Sequence, residues 1–251
     1  VTCLNNFKQK NYTIFQQQQI IYTYKGILGR FAPIIVHISM LLILLGNTIA
    51  AWGSFNAQEL IPKGEIFQVQ NTISKSWFTK IPDYPIRVND FWIEYGPTNN
   101  IKQFYSDLSV LNDNGTELSR KTISVNFPLR FKNLTIYQTD WNAIGLRIKL
   151  NNQQYQLPLV SLTKAKNLWV AWIPNSETEQ TGFTFIANTL NGTFSLYNEN
   201  GTFLGIYNCG EKILPNLSIL EIITETGLQI KTDPGIPLIY FGFGLLMISS
   251  L

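Results

Sequence analysis

A chain of 251 residues with 45% hydrophobic side chains can bury a sizeable core, yet its charged fraction of 14% falls well below the roughly 25% usual in soluble domains. A formal net charge of +3 with no run of Lys and Arg excludes a nucleic-acid backbone as partner. The two cysteines, Cys3 and Cys209, have neither Cys-x-x-Cys spacing nor a neighbouring histidine, which excludes zinc-ribbon and thioredoxin-like sites.

The chain opens on Val1 without a signal-peptide pattern, so its natural start is expected upstream. Residues 1–30 hold Lys8, Lys10, Lys25 and Arg30 and no acidic residue, and within them NYTIFQQQQIIYTYKG is expected to form a short strand pair. Residues 31–53, FAPIIVHISMLLILLGNTIAAWG, lack Asp, Glu, Lys and Arg entirely. As a helix this run covers the ~30 Å of a bilayer's hydrocarbon, with Arg30 and Trp52 as anchors at its two edges. A transmembrane helix is expected; a buried helix of a soluble domain is the alternative. Gly46, Gly53, Ser39 and Thr48 would let a flat macrocycle or another helix approach closely. The basic flank places residues 1–30 on the cytoplasmic or stromal side.

Residues 54–232 read as β structure on the opposite side of the membrane. Runs such as FWIEY, QFYSDLSVL, LTIYQTDW, WVAWI, FTFIA and TFSLY are short, alternate in polarity and favour Val, Ile, Thr, Tyr and Phe. Asn114-Gly115, Asn191-Gly192 and Asn200-Gly201 predict two-residue hairpin turns in which both residues take positive φ; each is also followed by Thr, a chance match to the glycosylation sequon in so Asn-rich a chain. Trp169 and Trp172 are expected on one strand face, packed in the core. Residues 233–251 open a second apolar helix that ends with the chain, with Asp233 as cap and Pro234 in the first helical position. The fold class is thus a membrane protein of mixed α+β type, transmembrane helices flanking a large, mostly antiparallel sandwich or open barrel. Cys3 and Cys209 would face opposite compartments and form no disulfide, and Cys209 reads as an ordinary small residue.

His37, the only histidine, lies about two helical turns inside the first span. A polar ring at that depth needs a partner, so it marks a functional site or a hydrogen bond to a neighbouring helix. A proton relay would need further acids at membrane depth, and zinc would need more ligands. Haem iron needs one or two axial ligands, for which neutral imidazole serves well. The chain carries no nucleophile motif, matched carboxylate pair or phosphate loop, so a stand-alone enzyme is not expected.

Three stretches carry a family resemblance: YKGILGRFAPIIVHISMLLILLG around His37, PLRFKNLTIYQTDW from Pro128 to Trp141 continued by LRIKL, and TGLQIKTDPGIPLIYFGFGLLM from Thr226 to Met247. In order and spacing they resemble the ResB or CcsB-type cytochrome c biogenesis proteins. That resemblance implies two helices before the first stretch and a final helix running on to a second histidine. It also implies that His37 corresponds to an intramembrane haem-associated ligand. The implied role is to work with a CcsA-type synthetase, moving reduced haem across the membrane and attaching it to Cys-x-x-Cys-His of apocytochromes. The bias toward Asn, Ile, Lys and Gln points to an algal plastid, hence a thylakoid membrane with the β domain in the lumen and cytochrome f among the clients; a bacterial inner membrane is the alternative. A scaffold that binds apocytochrome or synthetase through the β domain without touching haem is the competing function. For Gln138, Thr139, Asp140 and Trp141 two readings stand: a docking surface for synthetase or client, or a strand end with capping residues and a buried Trp.

Overall fold

The structure, a computed structural model, describes residues 12–18, 20–162, 168–175 and 181–250. Cys3, Lys8 and Lys10 lie outside the described residues. The chain forms two compact units, one holding the helices with Ser76–Phe78, the other the remainder of the segment from Phe55 to Thr232.

In the helical unit β1 (Thr13–Gln17) and β2 (Ile20–Tyr24) pair antiparallel, as expected of the run before the first helix. Helix α1 (Ile27–Gly53) starts after Gly26, whose φ of 71° is left-handed, four residues before the charge-free run begins. Its stretch Phe31–Gly53 is long and apolar enough to cross a membrane, whereas α2 (Ile236–Ser249) is apolar but shorter. The start of α2 corrects the expectation. Asp233 does accept the Gly235 amide through Oδ1 at 3.1 Å, but Gly235 is the N-cap, and the proline of the first turn is Pro237 rather than Pro234. The cause is the neighbouring helix. Gly235 sits directly on the Gly46 carbonyl, Pro234 packs on Gly53, and a β-carbon at Gly242 would stand 2.7 Å from Ile43 Cγ1. The helices therefore run antiparallel along a seam where Ser39, Gly46 and Ala50 are small enough to let backbones approach and Ile43 packs over Gly242. Gly46 and Gly53 are used by a second helix.

The β unit contains β3 (Phe55–Pro62), β4 (Ile66–Phe67), β5 (Thr72–Lys75), β6 (Ile86–Tyr95), β7 (Ile101–Leu111), β8 (Glu117–Ser124), β9 (Leu129–Phe131) and β10 (Leu134–Leu150). After them come β11 (Gln153–Pro158), β12 (Val160–Ser161), β13 (Trp169–Pro174), β14 (Gly182–Ala187), β15 (Thr193–Asn198), β16 (Phe203–Asn208), β17 (Lys212–Leu214) and β18 (Leu217–Thr232). The central sheet has the order β11-β10-β18-β3-β5, with β9 on β10 and β17 on β18; the others are β4-β6-β7-β8 and β12-β13-β14-β15-β16. All pairings among the described residues are antiparallel.

The long strands β10 and β18 serve two cores. Their halves at Leu134, Ile136, Leu228 and Ile230 pack with Phe55 and Ala57 of β3 against Ile86, Val88, Leu108 and Val110. The other halves, at Leu146, Ile148, Leu150 and Ile219, pack against Trp169, Ile173, Phe185 and Leu196. The result is two sandwiches on one continuous ribbon, where the sequence suggested a single sandwich or an open barrel.

The turns also differ from expectation. At Asn114-Gly115 and Asn200-Gly201 only the glycine takes positive φ, 77° and 74°. With Gly115 N–H donating to Asn112 O and Gly201 N–H to Asn198 O, each is a type I turn closed by a left-handed glycine. The two-residue turn with both φ positive is Asn151-Asn152, at 50° and 68°, between Leu150 and Gln153. Trp169 and Trp172 are three apart on β13 and so point to opposite faces: Trp169 is 4% exposed in the core, and Trp172 is 53% exposed outside it.

Candidate functional site

His37 stands two residues before Ser39 on α1, and at about 100° per residue that puts it on the side of the helix opposite the α2 seam. It is exposed. Its Nδ1 lies 2.6 Å from the carbonyl oxygen of Pro33, one turn back. A carbonyl only accepts, so Nδ1 carries the hydrogen in this bond, and Nε2 is the ring nitrogen left to serve as a ligand. This is how metal-bound imidazoles are commonly oriented, through a backbone acceptor on the nitrogen that does not bind metal. Elsewhere on α1 two hydroxyls are satisfied locally, Ser39 Oγ donating to Val36 O at 2.7 Å and Thr48 Oγ1 to Leu44 O at 3.0 Å. His37 thus offers one free imidazole nitrogen on an apolar face that includes Leu41 and Leu44. One axial position of a haem iron fits that donor; no group of three or more His, Cys, Asp or Glu suited to another metal occurs among the described residues.

The run Gln138 to Trp141 marks the place where the ribbon passes from one core to the other. Gln138 pairs with Leu228 and Asp140 with Gly227, so Thr139 is the extra residue of a bulge, and its Oγ1 donates to Gly227 O at 3.1 Å. Gln138 is 4% exposed and offers no surface to a partner, which corrects the docking expectation for that residue. It closes a buried ring instead: Ser106 Oγ donates to Gln138 Oε1, Gln138 Nε2 to Thr226 Oγ1 at 2.7 Å, and the Thr226 hydroxyl lies 2.8 Å from Ser106 Oγ. Three donors meet three acceptors, so the ring is satisfied where an unmatched group would be costly. Ser106 and Thr226 were not legible as its partners because they lie on β7 and β18. Asp140 is exposed and accepts the Trp141 amide at 2.8 Å, while the Trp141 ring packs on Trp169 with centroids 5.8 Å apart.

Cys209 lines a cavity of about 290 Å³ with Lys63, Trp92, Leu190 and Ile222. Its amide donates to Gly192 O at 2.8 Å, and Tyr95 Oη accepts the Leu190 amide at 2.9 Å, which holds the β14–β15 loop over the cavity. Burial pushes the Cys209 thiol up to about 11, so at neutral pH it is the protonated thiol and a poor nucleophile.

A family model described as the ResB-like family matches residues 2–204. Cytochrome c biogenesis protein Ccs1 of Trieres chinensis is 50% identical over 99% of this chain and 60% of its own length. Ccs1 of Heterosigma akashiwo is 49% identical over 96% of this chain and 58% of its own length. Cytochrome c biogenesis protein CcsB of a Synechococcus species is 44% identical over 96% of this chain and 53% of its own length. The chain therefore spans at most about 60% of the curated relatives named here. With the match covering most of its residues, from the strand pair through the first four strands of the outer β12–β16 sheet, the chain belongs to the ResB-like family.

Proposed function

We propose that this chain acts in cytochrome c biogenesis as a membrane subunit of a haem-delivery and attachment complex, with His37 as an axial ligand to haem iron. The observation that carries this reading is the geometry of His37: Nδ1 held by Pro33 O at 2.6 Å, Nε2 free, and the ring on the face of α1 turned away from α2. The names of the relatives, cytochrome c biogenesis proteins Ccs1 and CcsB, support the process. Haem bound there would present an iron with one axial position taken by imidazole; the protein's part is to hold and orient that ligand in an apolar setting.

In this reading α1 crosses a plastid thylakoid membrane, residues 1–30 are stromal and the β unit is lumenal. The charge-free run and the basic flank of Lys25 and Arg30 against Glu59 and Glu65 beyond Trp52 support that orientation. A CcsA-type synthetase and c-type apocytochromes such as cytochrome f are the proposed partners, with membrane lipid around α1. In this reading the chain is a subunit of a haem-attachment complex and not a stand-alone enzyme. Purifying the full-length protein together with its synthetase and recording the visible spectrum tests the reading: a Soret band with bis-axial or mono-imidazole features is expected, and a complex without stoichiometric haem would refute it.

A second reading, a scaffold without haem contact, draws on a specific surface. The outward face of the β12–β16 sheet exposes Val160, Trp172 and Ile206 at 59%, 53% and 67%, more apolar area than a solvent face needs. In this second reading that face docks an apocytochrome or the synthetase, and the exposed Asp140 of the ribbon is a separate candidate contact.

A further inference from the structure

The C-terminal end of α1 carries an aromatic cluster that protein does not cover. Trp52 is 59% exposed, Phe78 77% and Trp77 95%. The cluster is held in place rather than left loose. The Phe78 amide donates to Trp52 O at 3.2 Å and the Ser76 amide to Ser54 O at 3.0 Å, and the Trp52 and Phe78 rings meet edge to face with centroids 6.4 Å apart. A short segment remote in sequence is thus tied by its backbone to the last turn of the apolar helix, where it displays two large aromatic rings beside a third.

We propose that Ser76–Phe78 is an interfacial anchor that seats Trp77 and Phe78, together with Trp52, at the headgroup–acyl boundary of a lipid bilayer. The proposal rests on the membrane reading of α1 and names a lipid contact outside the helix itself. Continuity argues for lipid as the occupant. Trp52 is the penultimate residue of the charge-free run, so its level is where a spanning helix leaves hydrocarbon, and the backbone bonds hold Phe78 against it. Indole and phenyl rings at that depth bury their apolar bodies while the indole N–H stays near water, which is why Trp is enriched in such belts. Exposed Lys75 and Lys80 flank the segment in sequence, cations suited to anionic headgroups. In water the same rings would form an unprotected apolar patch.

The test is nitroxide accessibility in the full chain, reconstituted in phosphatidylcholine–phosphatidylglycerol vesicles with Cys3 and Cys209 replaced by Ala. Spin labels go at Trp77→Cys, at Leu44→Cys as the hydrocarbon reference and at Trp172→Cys as the water reference. The ratio of oxygen to nickel-chelate collision is expected to be high at residue 44, low at 172 and intermediate at 77, and the value at 77 should shift toward that at 172 when the chain is moved from vesicles to detergent-free amphipol. A water-like ratio at 77 with a hydrocarbon-like ratio at 44 overturns the anchor and leaves the membrane span standing. Low collision with both reagents at 77 means that protein covers it, and also overturns the anchor. A water-like ratio at 44 removes the membrane reading together with the anchor.

Discussion

A β-carbon on Gly227 would stand 2.7 Å from the β-carbon of Asp140 and 3.1 Å from its backbone carbon, so the two long strands pass each other at the bulge only because residue 227 has no side chain. Gly227→Ala must therefore shift the ribbon at the junction of both cores. Overpacking of this kind costs about 1–3 kcal/mol. Denaturant unfolding of the β unit should show that loss with an unchanged m-value. An effect below about 0.5 kcal/mol would mean that the bulge relaxes freely.

Gln138 and Asp140 should separate cleanly. Removing the amide in Gln138→Ala leaves the Ser106–Thr226 hydroxyl pair with one another only, so one buried hydroxyl proton loses its acceptor, and should destabilise the β unit by about 1–3 kcal/mol. Asp140→Ala, at an exposed position, should cost under about 1 kcal/mol. Equal small effects in thermal unfolding, with loss of synthetase co-purification for both variants, would move the whole run to the docking reading.

Cys209 should resist alkylation. With its thiol raised from an ordinary value of 9.0 to about 11 by burial, the thiolate fraction at pH 8 falls by roughly 100-fold. Iodoacetamide followed by mass spectrometry of the Cys209 peptide should show slow labelling in the native chain and rapid labelling in denaturant. The sign for stability follows from the same shift. The unfolded chain loses this proton first, so the site's contribution is intact below pH 9.0 and is lost as pH rises toward about 11. Native labelling at the rate of a free thiol would place the sulfur in solvent.

These contrasts show which parts of the fold were legible from sequence. Period-two alternation and β-branched residues marked β6 to β8, β10 and β13 to β16, because those signals are local, whereas β3 and β18 of the central sheet were not singled out. Pairing is not local, so the sharing of β10 and β18 between two cores, and the closure of the ring around Gln138 by residues 32 and 88 positions away, left no mark in the runs themselves. Counting by three on β13 would have separated Trp169 from Trp172, since a strand turns over at each residue. The polar histidine in an apolar run was legible as a candidate site; the face it occupies was not, since that depends on α2 taking the Gly46 side.

The β unit should fold without a cofactor. Its two cores are lined by aliphatic and aromatic side chains, and residues 55–232 contain no histidine. Expressed alone, the segment should give β-type circular dichroism and a cooperative thermal transition, and added haem should give no Soret shift beyond a nonspecific control. A saturable, stoichiometric shift would move the haem site out of the helical unit.

His37 is where haem handling and scaffolding part at a single atom. If Nε2 ligates iron, His37→Gly should abolish co-purifying haem and holocytochrome assembly in cells while the protein still inserts, because the apolar run of α1 is unchanged. If the ring serves only contact with another helix, the loss should be mild, since an interhelical hydrogen bond in a membrane is worth only about 0.6–2 kcal/mol. External imidazole discriminates further. It is small enough to fill the space left by the side chain and to offer iron the same donor, so it should restore both haem content and cytochrome maturation in His37→Gly but not in a bulky His37→Leu. Near-normal haem content in His37→Gly without imidazole would remove the ligand assignment and leave the scaffold reading in its place.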